Sequence, residues 1–283
     1  MLTGLSACEK TEKVDNYPIH QSKLVVNCFF YNQSGFQFKL SKSLSPIDNA
    51  KFKTLDNPNA YIKIFEDNIF YDSTTYNSQS SIYTGRKGSK YNKTYRFECH
   101  YPGFEIVSGE DYLPDTAKIK NASGYYSILN STMSNDSQII GTSNTFLDIN
   151  YSQPCKYLML TIYISNSTGT IGELYSVVTD NNPANNSEFA NHALYISNEE
   201  GIKKINLKWA TAFNRINKNK TSASYRIRSY ACSKNTFEYL KRQALQMENQ
   251  EDPFSQPTPI SNNIINGYGI FGGFTFTDFR VSF

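Results

Sequence analysis

Histidine and tryptophan are scarce in this chain: 283 residues hold three His and one Trp. His20, His100 and His192 lie far apart, and none stands at ligand spacing to another His or Cys, so no metal-ligand set is recognisable. No G-x-S-x-G, H-E-x-x-H or phosphate-cradling loop appears, which removes the usual hydrolase, metalloprotease and nucleotide-loop readings. No run of ~18 apolar residues exists, so no helix is long and apolar enough to cross a membrane. Neither sign of charge dominates, with a net of +3. The densest basic stretch is Lys218 to Lys220 with Arg215 nearby, broken by Asn. A nucleic-acid binder shows a basic stripe, and a short cluster like this reads as a solvated loop. Internal repeats are absent. No cofactor and no metal is expected.

What the chain has in quantity is aromatic residues, with 21 Tyr and 19 Phe. These side chains suit pleated, half-buried surfaces and favour strands. Hydrophobic residues at 39% and charged residues at 19% allow a real core and exclude disorder of the whole chain.

The sharpest local signal is Leu5-Ser6-Ala7-Cys8, which has the form of a bacterial lipobox. The peptidase that cuts there needs small residues before Cys, and Cys8 then becomes the lipidated first residue. The charged and apolar regions of a full signal peptide are missing ahead of it, so a precursor starting further upstream is expected. The charged run from Glu9 to Asp15 cannot join a core and reads as a tether. Residues 1–22 are therefore assigned to a remnant signal peptide, the lipidated Cys8 and the tether. Cys28, Cys99, Cys155 and Cys232 show no disulfide framework. Cys28 and Cys99 each share a strand face with apolar residues, which reads as buried free thiols. If one pair bonds, Cys28 with Cys99 is favoured.

From residue 23 short alternating segments predict strands over 23–30, 36–41, 60–66, 69–71, 81–83, 93–101 and 104–107. Turn signals such as Pro102-Gly103 separate them, the pattern of an all-β sandwich over residues 23–114. Leu113-Pro114-Asp115 marks a boundary. Beyond it, strands are predicted over 125–129, 146–150, 156–164, 172–178, 202–209 and 224–232, within a second β-rich domain, 115–283. Ile205, Leu207 and Trp209 share one face and are read as core. One helix is predicted over 235–249, with Asn235 as cap, Glu238 completing a capping box, and Pro253 as stop. Phe237, Leu240, Ala244 and Met247 form its apolar stripe and are read as sheet contacts.

Gly267 to Gly272 fits G-x-G-x-x-G but lacks the strand before and helix after that a dinucleotide site needs, so it reads as a turn before a closing strand. Asp180-Asn-Asn182 resembles a calcium loop, yet Ala184 stands at position five and the glycine is missing, which leaves a polar turn. Asp72-Ser73-Thr74 and Asp115-Thr116-Ala117 match a three-residue O-glycosylation motif of Bacteroidota, making Ser73 and Thr116 candidate acceptors.

Three groups of residues resemble the Bacteroidota lipoproteins classed as domain of unknown function 4249. They are Lys23 to Asn27 with Leu40 to Ser43 and Ile47 to Ala50; Lys93 to Arg96 with Pro102-Gly103 and Glu110 to Pro114; and Tyr239-Leu240, Asp252 to Phe254, Pro259, Ser261 to Ile264 and Asn266 to Gly273. The third group is the most specific, and residues 115–225 match least. The resemblance implies an N-terminal immunoglobulin- or transthyretin-like β-sandwich, a second β-rich domain, a lipid anchor and frequent proximity to TonB-dependent transporters. It implies no reaction and no catalytic residue.

The resulting expectation is a non-enzymatic lipoprotein of the outer membrane that faces the cell exterior, the periplasmic face being the alternative. It would act as an accessory or substrate-binding component of a TonB-dependent uptake system. The competing reading is a structural or adhesive surface lipoprotein. Phe254, Tyr268 and Phe271 are the candidate residues for docking on the transporter, since aromatics are favoured interface anchors.

Overall fold

A computed structural model describes residues 20–32, 34–45, 55, 59–129, 138–151, 155–165, 171–173, 176–178, 187–190, 193–197, 204–214, 224–249 and 254–282. The lipobox, most of the tether, the Asp180–Asn182 turn, His192 and Pro253 lie outside these residues, as does the side chain of Trp209. The fold is mostly strand with one helix near the C-terminus.

The first unit holds β1 (Leu24–Phe30), β2 (Gly35–Lys42), β3 (Tyr61–Glu66), β4 (Ile69–Asn77), β5 (Ile82–Gly88), β6 (Lys93–His100) and β7 (Val107–Leu113). β1 and β7 alternate throughout between buried and less buried positions, and β2, β3 and β6 do so over most of their length, so one face of each enters the core. Where the sequence predicts a strand over 104–107, residues 104–106 are loop, and the strand is 107–113. Gly109, Glu110 and Asp111 are poor strand formers, but pairing with β6 supplies what local propensity does not.

The second unit holds β8 (Ala117–Leu129), β9 (Gln138–Tyr151), β10 (Tyr157–Ser165), β11 (Ile171–Glu173), β12 (Ser176–Val178), β13 (Ser187–Ala190), β14 (Ala193–Ser197), β15 (Lys204–Asn214) and β16 (Ser224–Cys232). Then come α1 (Lys234–Asn249), β17 (Ile264–Ile265) and β18 (Tyr268–Ser282). A four-stranded sheet, β12-β15-β9-β8, packs on the long sheet that runs β13-β14-β10-β16-β18-β1-β2-β5-β4-β3-β6-β7-β17. Between them lies an aliphatic core of Leu147, Ile149, Leu158, Leu160, Ile162, Ile205 and Ile227 among others.

β18 ties the two units together. Its first half pairs in parallel with β1, and its second half pairs antiparallel with β16. Fifteen residues at ~3.3 Å each make a strand of roughly 50 Å, long enough to serve both. Ile264 and Phe271, far beyond residue 114 in the chain, belong to the first core. The Gly-rich approach to this strand is a close-contact device. Gly269 has φ of 115°, and a Cβ there would overlap the Val26 carbonyl.

Helix α1 lies on the outer face of the sheet and buries Phe237 and Ala244. Its cap is Ser233 and not Asn235: the Thr236 N–H donates to Ser233 Oγ at 3.1 Å. Asn235 turns away to donate to Asp111 Oδ1 at 3.1 Å. Met247, read as core, is half exposed.

Candidate functional site

The outer face of the four-stranded sheet carries a hollow of about 380 Å³. Two cross-strand rows build it. Asn121 pairs with Asp148, which pairs on its other side with Lys204; Ser123 pairs with Phe146, which pairs with Asn206. Neighbouring strands stand ~4.8 Å apart, so six side chains converge within a small area. An irregularity between Ile119 and Asn121 in β8 moves the strand's phase by one residue. Ile119 stays buried while Asn121 and Ser123 turn to the hollow.

Beneath the hollow, Leu147 and Ile205 are locked in the aliphatic core. This alternation forces Phe146, Asp148, Lys204 and Asn206 outward. Phe146 is 49% exposed, a large ring left facing solvent beside amides, a hydroxyl, a carboxylate and an ammonium. Such a surface can stack one face of a polar molecule and hydrogen-bond its edge. None of these residues was singled out in the sequence. The available signal was the segment Thr145-Phe-Leu-Asp-Ile149, where Phe146 and Leu147 must point to opposite faces.

A second polar feature sits where the two units meet. Asp111, on β7, is buried and accepts from the Gly273 N–H at 2.8 Å, from Asn235 and from the Ser233 hydroxyl. Burial raises its carboxyl to about 6, against the downward pull of these donors. Asp111 thereby joins the first unit, the helix cap and β18. On the outer face near the other end of β18, Arg228 forks onto Asp278 at 2.6 and 2.9 Å and lies 4.5 Å above the Phe276 ring. The Arg228 guanidinium holds the Asp278 carboxyl below the usual carboxylate range.

The three docking candidates have different surroundings. Phe254, beyond the end of α1, is almost wholly exposed, and Tyr268, at the start of β18, is 44% exposed. Phe271 is fully buried: it stacks on Phe38 at 5.9 Å and meets Phe30 at 4.7 Å and Phe97 at 4.9 Å. It cannot touch a partner, because strand alternation carries it into the first core. Ser73 and Thr116 are both half-buried on the described surface. Asp72, beside Ser73, is held by the Arg86 and Lys87 N–H groups at 2.7 Å each. Cys28, Cys99, Cys155 and Cys232 are buried and free. Burial pushes the Cys99 and Cys155 thiols up to about 12 and about 11. Among the described residues, no group of His, Cys, Asp and Glu could hold a metal ion, and no helix is long and apolar enough to cross a membrane.

These features define a mostly-β protein with two larger cores joined by one long strand and a smaller apolar cluster under the helix. A family model described as Domain of unknown function (DUF4249) matches residues 10–280, and the chain belongs to that family. No curated protein matches it.

Proposed function

We propose that this chain is a non-enzymatic, lipid-anchored protein of the outer membrane that faces the cell exterior and captures a polar nutrient for a TonB-dependent transporter. The observation that carries the binding role is the hollow around Phe146, an aromatic surface ringed by Asn121, Asp148, Lys204 and Asn206. The anchor rests on Leu5-Ser6-Ala7-Cys8, and the transporter rests on the resemblance of the residues to lipoproteins encoded near such transporters. An anchor in the outer-membrane plane raises the effective concentration of the protein at any transporter there.

Purification from native membranes in mild detergent, after cross-linking in cells, tests the partnership. A TonB-dependent transporter should co-purify. Its repeated absence overturns the partnership. A Phe146→Ala, Lys204→Ala double variant tests the hollow: it should keep the wild-type melting temperature and the transporter, and lose ligand-dependent uptake. Unchanged uptake would remove the hollow from the mechanism.

A further inference from the structure

Five strand ends of the first unit meet those of β17 and β18 at one end of the molecule. Leu24 pairs with Lys42, Tyr61 with His100, Cys99 with Val107, Val25 with Tyr268, and Ile265 with Ser108. The Asn266 amide donates to the Ile106 carbonyl at 3.2 Å, which fastens the β17–β18 turn to the loop before β7. A Cβ at Gly267 would press on both the Leu24 carbonyl and Val107, so these segments are in direct contact.

This end exposes large apolar and aromatic side chains: Tyr61 at 46%, Ile106 at 51%, Ile265 at 63% and Tyr268 at 44%. Lysines stand among them. Lys23 Nζ lies 5.6 Å from the Tyr268 ring centre, Lys63 Nζ lies 5.7 Å from the Tyr61 ring centre, and Lys42 is exposed at the end of β2. Among the described residues of the adjoining loop before β7, one acid, Glu105, is exposed. Tyr and Lys beside exposed Ile is the side-chain chemistry of a membrane–water interface, where amphipathic rings sit at headgroup depth and ammonium groups meet lipid phosphates.

The tether leaves from this same end. His20 Nε2 lies 3.0 Å from Ser43 Oγ, and the Lys23 N–H donates to that oxygen at 2.9 Å. Twelve peptide steps lead from His20 back to Cys8. Twelve such steps reach at most ~40 Å. β7 ends at Leu113, at the opposite end of the first unit, and the chain enters β8 from there. The second unit is therefore the far one.

From this geometry we infer that the end formed by Lys23, Lys42, Tyr61, Ile106, Ile265 and Tyr268 is a membrane-resting surface, whose occupant is the headgroup layer of the bilayer that holds the anchor. The inference rests on the proposed lipidation of Cys8. It leaves the hollow in the unit farther from the membrane. It also reassigns Tyr268 from docking on a transporter to contact with lipid.

The test couples the Cys8 thiol to a maleimide lipid in vesicles of chain-brominated phosphatidylcholine and phosphatidylglycerol. The other four thiols are buried, which directs the coupling to Cys8. Tyr268→Trp reports on the proposed base, and Phe70→Trp reports on the exposed turn at the opposite end. Trp209 gives both the same background. Relative to unbrominated vesicles, Tyr268→Trp should lose emission, while Phe70→Trp should not change. Adding Ile106→Asp and Ile265→Asp to Tyr268→Trp should restore the emission with the melting temperature unchanged. Equal quenching of both probes, or none at Tyr268→Trp, overturns the inference. Loss of quenching with cross-linking of this end to a transporter makes it a protein interface instead. Because coupling bypasses lipidation in cells, failure here is distinct from failure of the anchor itself.

Discussion

The two cores of this protein are built from different material. The first is aromatic: Phe30, Phe36, Phe38, Tyr95, Phe97 and Phe271 meet at ring-centre distances of 4.7 to 6.2 Å. The second is aliphatic, with Leu and Ile from two facing sheets. The first core is closed by an outside strand, since Phe271 arrives at the end of the chain and completes a cluster begun at Leu24. The second needs no such closure, and its four-stranded sheet carries the hollow on its outer face. The difference is one of closure: the first core is sealed by a strand from the end of the chain, and the second unit carries the hollow on its outer face.

The sharpest way to break this comparison is to remove the ring that closes the first core. Phe271→Ala should cost about 3–5 kcal/mol, because it leaves a cavity among five other rings. Chemical denaturation should show a large fall in midpoint. A variant within about 1 kcal/mol of the parent would mean that β18 does not complete this core. Leu160→Ala in the aliphatic core should cost less, about 2–4 kcal/mol. It should also leave vesicle contact at Tyr268 intact.

The next effect concerns the joint between the units. Asp111 has its carboxyl raised from 3.8 to about 6 by burial. A raised folded-state pKa means that its contribution to stability is full below about pH 4 and is lost as pH rises through about 6. Asp111→Asn removes this titration. Subtracting the variant's stability from the wild type's cancels the opposing trend of Glu66, Glu98 and Asp278, whose carboxyls are held low by partners. The difference should therefore fall between pH 4 and pH 7 in urea titrations. A flat difference would place the Asp111 carboxyl at its ordinary value. The smallest effect belongs to the rim: Asp278→Ala, which frees Arg228, should cost at most about 1 kcal/mol, and less in high salt.

Much of the first unit was legible in the sequence. Strict alternation at Leu24–Phe30 and Lys93–His100 marks strands with one buried face, and the apolar spacing from Phe237 to Ala244 marks the helix. Other features depend on partners distant in the chain. β7 carries Gly109, Glu110 and Asp111, which argue locally against a strand. Its Asp is tolerated because Ser233, Asn235 and Gly273, more than a hundred residues away, supply donors. Asn235 looked like a cap, but Ser233 lay one residue before the helix and took the role. Phe271 read as an interface anchor because its neighbours are Gly and Tyr. Only the parallel pairing with β1 reveals that it points inward. The hollow was the least legible feature, since Asn121, Phe146 and Asn206 meet only after three strands find their register and β8 shifts phase.

The proposed division into a membrane-side unit and a far unit depends on one proposed covalent step, lipidation of Cys8. The direct measurement is fractionation of cells expressing the precursor with a complete signal peptide, wild type beside Cys8→Ser. The account predicts wild-type protein in the outer-membrane fraction and the folded variant in the soluble fraction. A Cys8→Ser protein that stays with the outer membrane would contradict it.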